Sequence, residues 1–198
     1  MKLVIRIVAS AIALAVVTAP LGAQRREVVV RLYAGGADHL ADLSSQPPDA
    51  SFTPGYNIGA SVGRQITDLL TVRGDLMFTR NSAWGAASFA GAQVNRFYYG
   101  VQLEARRAPG YSWTPFAFVG LGAVSVDQIG SDQFDPFTKA AITLGVGIGY
   151  AIPRSRLEAF GEVKGITYKW DRAGFDRQMF DVTYTLGVSY RLPVTLPF

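Results

Sequence analysis

The chain has 198 residues, is 49% hydrophobic and 17% charged, and contains 21 Gly, 12 Phe, 9 Tyr, 3 Trp, one His and no Cys. That length bounds it to one domain, or at most two small ones. The missing Cys excludes disulfides, a thiolate metal site, a cysteine nucleophile and a lipidated N-terminal Cys, and the single His excludes an all-histidine metal site. The net charge of +4 is spread along the chain, so there is no basic stripe and no nucleic-acid partner is expected.

Lys2 and Arg6 form a basic start, residues 7–19 are apolar or small, and Leu21-Gly22-Ala23 supplies small residues at a cleavage position. This predicts a secretory signal peptide over residues 1–23, cleaved after Ala23. The run is shorter than the ~20 residues of a spanning helix. Residues 24–198 are then one exported domain.

From there the chain alternates with period two, the mark of strands with one apolar face. Residues 28–36 set Val28, Val30, Leu32 and Ala34 against Arg31 and Tyr33. Residues 55–65 set Tyr56, Ile58, Ala60 and Val62 against Asn57, Gly59, Ser61 and Gly63. Residues 70–80 set Leu70, Val72, Leu76 and Phe78 against Thr71, Arg73, Asp75 and Thr79, and residues 94–106 set Phe97, Tyr99, Val101 and Leu103 against Arg96, Tyr98, Gln102 and Glu104. Residues 113–125 are read as a strand with its faces unassigned, because Phe116 and Phe118 share a face with Gly120 and Gly122. Residues 140–151 set Ile142, Leu144, Val146, Ile148 and Tyr150 against Thr143, Gly145, Gly147 and Gly149. Those alternating glycines only superficially suggest a nucleotide motif and fit close packing or curvature in a strand. Residues 157–169 set Leu157, Ala159, Val163 and Thr167 against Glu158, Glu162 and Lys164. Residues 180–192 alternate without a break, from Phe180, Val182 and Tyr184 to Leu192 on one face and from Asp181 to Arg191 on the other. Every second connection is short, and the long ones are rich in Gly, Pro, Ser, Asp and Gln.

Eight antiparallel strands with short and long connections alternating predict an all-β, up-and-down transmembrane barrel. The polar face decides between a membrane barrel and a soluble lipocalin-like calyx. It carries Arg31, Arg73, Arg96, Lys164 and Arg191 against Asp75, Glu104, Glu158, Glu162 and Asp181, with Gly, Ser and Thr between them. A neutral set of this kind suits the inside of a narrow barrel, where buried charges must pair and where eight strands leave room only for side chains. The other face is almost free of charge and carries aromatics toward the strand ends. Tyr33, Phe78, Tyr99, Trp113, Tyr150, Trp170 and Tyr190 are therefore expected to form an interfacial girdle.

The last strand holds Thr185, Gly187, Tyr190 and Leu192 at the spacing polar, any, Gly, two any, aromatic, any, hydrophobic. This resembles the assembly signal of bacterial outer-membrane proteins, and the terminal Phe198 is typical of them, although Pro193 and Pro197 suggest that the strand stops at Leu192. The chain as a whole is similar to the small OmpA/OmpX-type barrels and the generic outer-membrane β-barrel domain. The resemblance implies a Gram-negative outer membrane, outer-membrane lipids and lipopolysaccharide as surroundings, the barrel-assembly machinery as a partner in biogenesis, a monomer and no cofactor.

Several functions compete. The favoured one is a non-enzymatic barrel with a side-chain-plugged, charge-balanced lumen and long extracellular loops, in a structural or surface-interaction role. An OmpW-like conduit for small hydrophobic molecules follows if Phe116 and Phe118 line the lumen. A lipid-modifying enzyme would need His39 with Asp38 and Ser44 or Ser45, yet adjacent Asp and His side chains point apart. Glu158 and Glu162 lie roughly 13 Å apart along a strand, too far for a glycosidase pair, and Lys164 makes them members of an ion-pair network instead. Asp132 and Asp135 are a weak candidate for metal ligation. No catalytic, cofactor or metal residue is assigned.

Overall fold

The computed structural model describes residues 26–40, 51–84, 92–107, 112–129, 135–171 and 176–194. The expected signal peptide, Ser44, Ser45, Asp132 and Phe198 lie outside them. Eight antiparallel strands form the wall: β1 (Arg26–His39), β3 (Gly55–Gln65), β4 (Leu70–Trp84), β5 (Gln93–Arg106), β6 (Trp113–Ile129), β7 (Phe137–Ala151), β8 (Leu157–Trp170) and β9 (Arg177–Val194). Each pairs with its chain neighbour, and β9 returns to pair with β1 from Arg26↔Val194 to His39↔Asp181, which closes the barrel. Closure leaves no open edge, as lipid requires. A further two-residue strand, β2 (Ser51–Phe52), pairs with Trp84 and Ala83 at the top of β4. It is too short to leave a periodic signal in the sequence.

The connections at one end are residues 66–69, 107–112 and 152–156; those at the other are 40–54, 85–92, 130–136 and 171–176. The β7–β8 turn is tight because Ser155 N–H donates to Ile152 O at 3.2 Å across Pro153-Arg154. Arg154 takes φ 60° there, the left-handed value that a type II turn demands of its third residue.

Parity sorts the side chains throughout. Leu32, Ile58, Leu121, Val146 and Leu186 point out, Leu186 with 76% of its surface exposed. Apolar exposure on that scale is unfavourable in water and correct in lipid. An arginine in place of Leu121, which is 69% exposed at mid-strand, is expected to cost about 2–4 kcal/mol of folding free energy in lipid vesicles. Denaturant titration of the refolded variant would show it, and an unchanged midpoint would contradict the lipid-facing assignment.

Outward aromatics gather at two levels. Tyr56 and Phe78 (6.3 Å between ring centroids) and Phe97 and Tyr99 (6.0 Å) lie toward the longer connections. Trp113 and Tyr150 (4.8 Å) lie toward the turns, with Tyr190 opposite Leu157 at the same end. Two expected girdle members are elsewhere. Tyr33 and Trp170 are buried inside the barrel at 6% and 0% exposure. Tyr33 shares the parity of Arg31, and Trp170 that of Lys164 and Glu162, so strand register outranks the interfacial preference of the residue type.

Strand β9 also runs two residues past Leu192. Arg191 N–H donates to Arg156 O, so the nitrogen of residue 193 faces the same side, just past the start of β8. The missing proline N–H therefore leaves no ladder bond unmade, and the β1 pairing continues through Glu27↔Pro193.

Candidate functional site

The inward face builds a belt of charge in the half of the lumen nearer the turns. Glu104 on β5 is fully buried and receives three guanidiniums. Arg31 donates from both terminal nitrogens to its two oxygens at 2.7 and 2.8 Å. Arg73 reaches it at 3.1 Å and Arg106 at 2.9 Å. Arg73 also contacts Glu162 at 2.9 Å, and Lys164 joins Glu162 (3.3 Å) to Asp75 (2.6 Å). Tyr33 and Gln102 donate to the two oxygens of Asp75. Toward the turns, Arg106 and Arg191 both donate to Glu158, and Arg191 also faces Glu27 at 3.6 Å. Water-excluded charges of this kind are tolerated only when each has partners and hydrogen bonds.

Aromatic rings fill the space between. The Arg31 guanidinium lies 5.1 Å from the Phe116 ring and 5.2 Å from Phe160, and Arg73 lies 4.3 Å from Phe118. These are cation–π distances. They place Phe116 and Phe118 inside, which settles the faces of β6. Each ring lies opposite a glycine on the next strand: Tyr33↔Gly59, Phe116↔Gly147, Phe118↔Gly145 and Phe160↔Gly187. A Cβ at Gly147 would sit 2.3 Å from the Phe116 ring. Gly145 and Gly147 of β7 are seats for two of these rings, and Gly149 leaves room for the Glu158 side chain.

Eight of the ten expected lumen charges join this belt: Arg31, Arg73, Asp75, Glu104, Glu158, Glu162, Lys164 and, at the mouth with its side chain 28% exposed, Arg191. Arg96 and Asp181 belong to a second cluster, nearer the longer connections. His39 Nδ1 is 2.5 Å from Asp181, and Arg96 lies 3.0 Å from His39 Nε2 and donates to Tyr168 at 2.8 Å. Phe52 of β2 seats its ring on Arg96 at 4.3 Å and beside His39 at 4.8 Å, roofing the cluster together with Trp170. Around them the lumen wall is mixed, with Met77, Val94, Val124, Val126, Ile166 and Met179 buried beside Thr79, Asn81 and Thr183.

His39 therefore bonds Asp181, whereas the Asp38 carboxylate accepts the backbone N–H of His39. With one ring nitrogen on Asp181 and the other against Arg96, His39 has no free position for a serine. Glu158 and Glu162 face the same lumen but serve different cations. Among the described residues, no group of His, Asp and Glu is arranged to hold a metal. Of the assembly-signal residues, Thr185 and Gly187 point inward, while Tyr190 and Leu192 point outward beside β1.

Sequence reasoning missed Arg106, Glu27 and Gln102 as network members. Arg106 was legible, since it shares its face with Arg96 and Glu104. The pairing of His39 with Asp181 was not, because it depends on β1–β9 closure.

A closed antiparallel barrel with a lipid-like exterior and a charged interior defines an integral outer-membrane protein. The chain belongs to the outer membrane protein beta-barrel domain family, which matches residues 9–192. Solved structures agree on the fold. Neisserial surface protein A is 16% identical, with 87% of this chain and all of that one covered and a TM-score of 0.58. The N-terminal barrel domain of Pseudomonas aeruginosa OprF is 16% identical over 84% of this chain and 97% of that one, TM-score 0.53. P. aeruginosa OprG is 14% identical over 86% and 97%, TM-score 0.51. No curated protein sequence matches the chain. The protein resides in the bacterial outer membrane.

Proposed function

We propose that this is a non-enzymatic barrel with a plugged lumen, its longer connections outside the cell and its turns in the periplasm, in a structural or surface-interaction role. The belt centred on Glu104 carries the reading. Arg31, Arg73, Glu104, Glu158, Glu162 and Lys164 are each at most 5% exposed, and they cross-link β1, β4, β5 and β8 through the barrel axis. Ions held this closely fill the bore rather than line a water column. The orientation follows the usual placement of short turns in the periplasm.

The test is conductance. The refolded full chain in a planar bilayer is expected to give no channel steps above background. Large, reproducible single-channel steps would overturn the plugged reading.

A second reading has one observation in its favour, the apolar patch that Met77, Val94, Val124 and Ile166 form within the lumen wall. That part of the lumen would suit a small hydrophobic solute on a conduit path. Deletion of the protein would then slow uptake of such a solute. The plugged reading expects unchanged uptake.

A further inference from the structure

Arg80 is unlike the arginines of the lumen. It lies on the outward face of β4, two residues beyond Phe78 toward the longer connections. Its Nε donates to Asn95 Oδ1 at 2.7 Å, and its guanidinium carbon is 5.7 Å from the Phe78 ring centroid. Among the described residues no carboxylate lies within ion-pair distance of it. The outward Lys169, by contrast, pairs with Asp176 at 3.0 Å.

The neighbours of Arg80 are arranged around it. Tyr56 and Asn95 stand directly opposite it on β3 and β5. Residues so paired on one face have their Cβ atoms about 5 Å apart. Tyr56 is 49% exposed and shares the Phe78 ring with Arg80. Two residues along a strand are about 6.6 Å, so the guanidinium stands beyond Phe78 and beside Tyr56, at the outer rim of the aromatic level where lipid acyl chains give way to headgroups. A long cationic side chain there lays its stem on apolar surface and its head among the headgroups. With Nε held by Asn95, both terminal nitrogens are oriented together, the fork that recognises a phosphate.

We propose that Arg80, Asn95 and Tyr56 form a binding site for the phosphate of an outer-leaflet glycolipid. Arg80 is the charged anchor, Asn95 fixes its orientation, and the Tyr56 hydroxyl supplies a neutral donor. The Phe78 and Ile58 surface below takes the start of an acyl chain. A lipid fits better than a free anion because the site opens sideways from the barrel wall onto this apolar ledge. The site rests on the proposed orientation of the longer connections, but not on the plugged lumen.

The test uses the refolded full chain in detergent micelles, titrated with lipid A carrying both phosphates and with its dephosphorylated form, and read by native mass spectrometry. The phosphorylated lipid is expected to be retained at least tenfold more strongly, and Arg80→Ala to abolish the difference while Lys169→Ala preserves it. Equal retention of the two lipids by the unmodified protein would overturn the proposal without any variant. So would an Arg80→Ala protein that folds, as shown by its gel shift on boiling, and keeps the preference. Displacement of the lipid by low-millimolar inorganic phosphate would show a free-anion site and overturn the lipid assignment. Orientation is checked separately by whole-cell labelling of Ser88→Cys in the β4–β5 connection. Failure there with phosphate-dependent binding intact would reverse the barrel and overturn the outer-leaflet assignment, while the loss of phosphate dependence with labelling intact would overturn the site and spare the orientation.

Discussion

Glu104→Gln is expected to destabilise the barrel by about 3–5 kcal/mol, the range for removing one partner from a buried ion pair. The substitution barely changes volume, so the loss is electrostatic. Glu104 is fully buried and receives Arg31, Arg73 and Arg106 from three sides. As glutamine it leaves three guanidiniums converging on a neutral amide. Arg106 can turn toward Glu158 and Arg73 toward Glu162, since both already touch those groups. Among the described residues Arg31 pairs with no other carboxylate, and the Phe116 and Phe160 rings lie against its guanidinium. The matched comparison is Glu158→Gln. Glu158 is equally buried but also serves Arg191, whose side chain is 28% exposed at the mouth. Water reaches that arginine, so the loss should be smaller. Urea unfolding in micelles, followed by tryptophan fluorescence, gives both values. A Glu104→Gln loss below about 1 kcal/mol, the scale of exposed pairs, would mean that water enters the belt and that the lumen is not sealed.

The barrel was legible because one regularity repeats along the chain. Residues 180–192 alternate without a break, and the same parity elsewhere separates Leu32 from Arg31 and Ile142 from Thr143. Alternation fixes which side chains share a face, and a charged set balanced in sign tells which face is enclosed. Composition was the weaker guide. Tyr33 and Trp170 are interfacial residue types, yet their parity puts them inside, where Tyr33 bonds Asp75 and Trp170 packs on Phe137. Strand 113–125 stayed unassigned because its alternation sets Phe and Gly against Val, Leu and Ala, all apolar or small. Only the neighbouring strands reveal that Arg31 and Arg73 need those rings. What the sequence could not show at all depends on closure or on a single turn of chain. His39 meets Asp181 because β1 lies beside β9, and Phe52 reaches the mouth through two residues of β2.

Gly59→Ala is expected to cost about 1–3 kcal/mol, the usual penalty for overpacking, although a surface strand would gain from losing a glycine. The position faces the lumen opposite Tyr33, and a Cβ there would lie 2.4 Å from the Tyr33 ring. All the nearest atoms belong to that one side chain, so the ring must swing away. Its hydroxyl then leaves Asp75, and the ring leaves Lys164, which it faces at 5.1 Å. The steric change thus reaches the charge belt. Tyr33→Leu alone should also destabilise, by leaving Asp75 one donor short and opening space beside Lys164. Since both changes act through one ring, the double variant Gly59→Ala/Tyr33→Leu should lose clearly less than the two single losses together. Coupling between residues in contact is ordinarily 0.5–3 kcal/mol. Additive losses in the same urea titration would show that the Tyr33 ring does not rest on Gly59. The sign of the coupling also tests the wider pattern, because Phe116 on Gly147, Phe118 on Gly145 and Phe160 on Gly187 repeat the arrangement. Each glycine makes room for a ring, and all four rings lie beside buried cations: Arg31 against Phe116 and Phe160, Arg73 against Phe118 and Lys164 against Tyr33. In this barrel the glycines of the wall therefore help to set where charge can be buried in its bore.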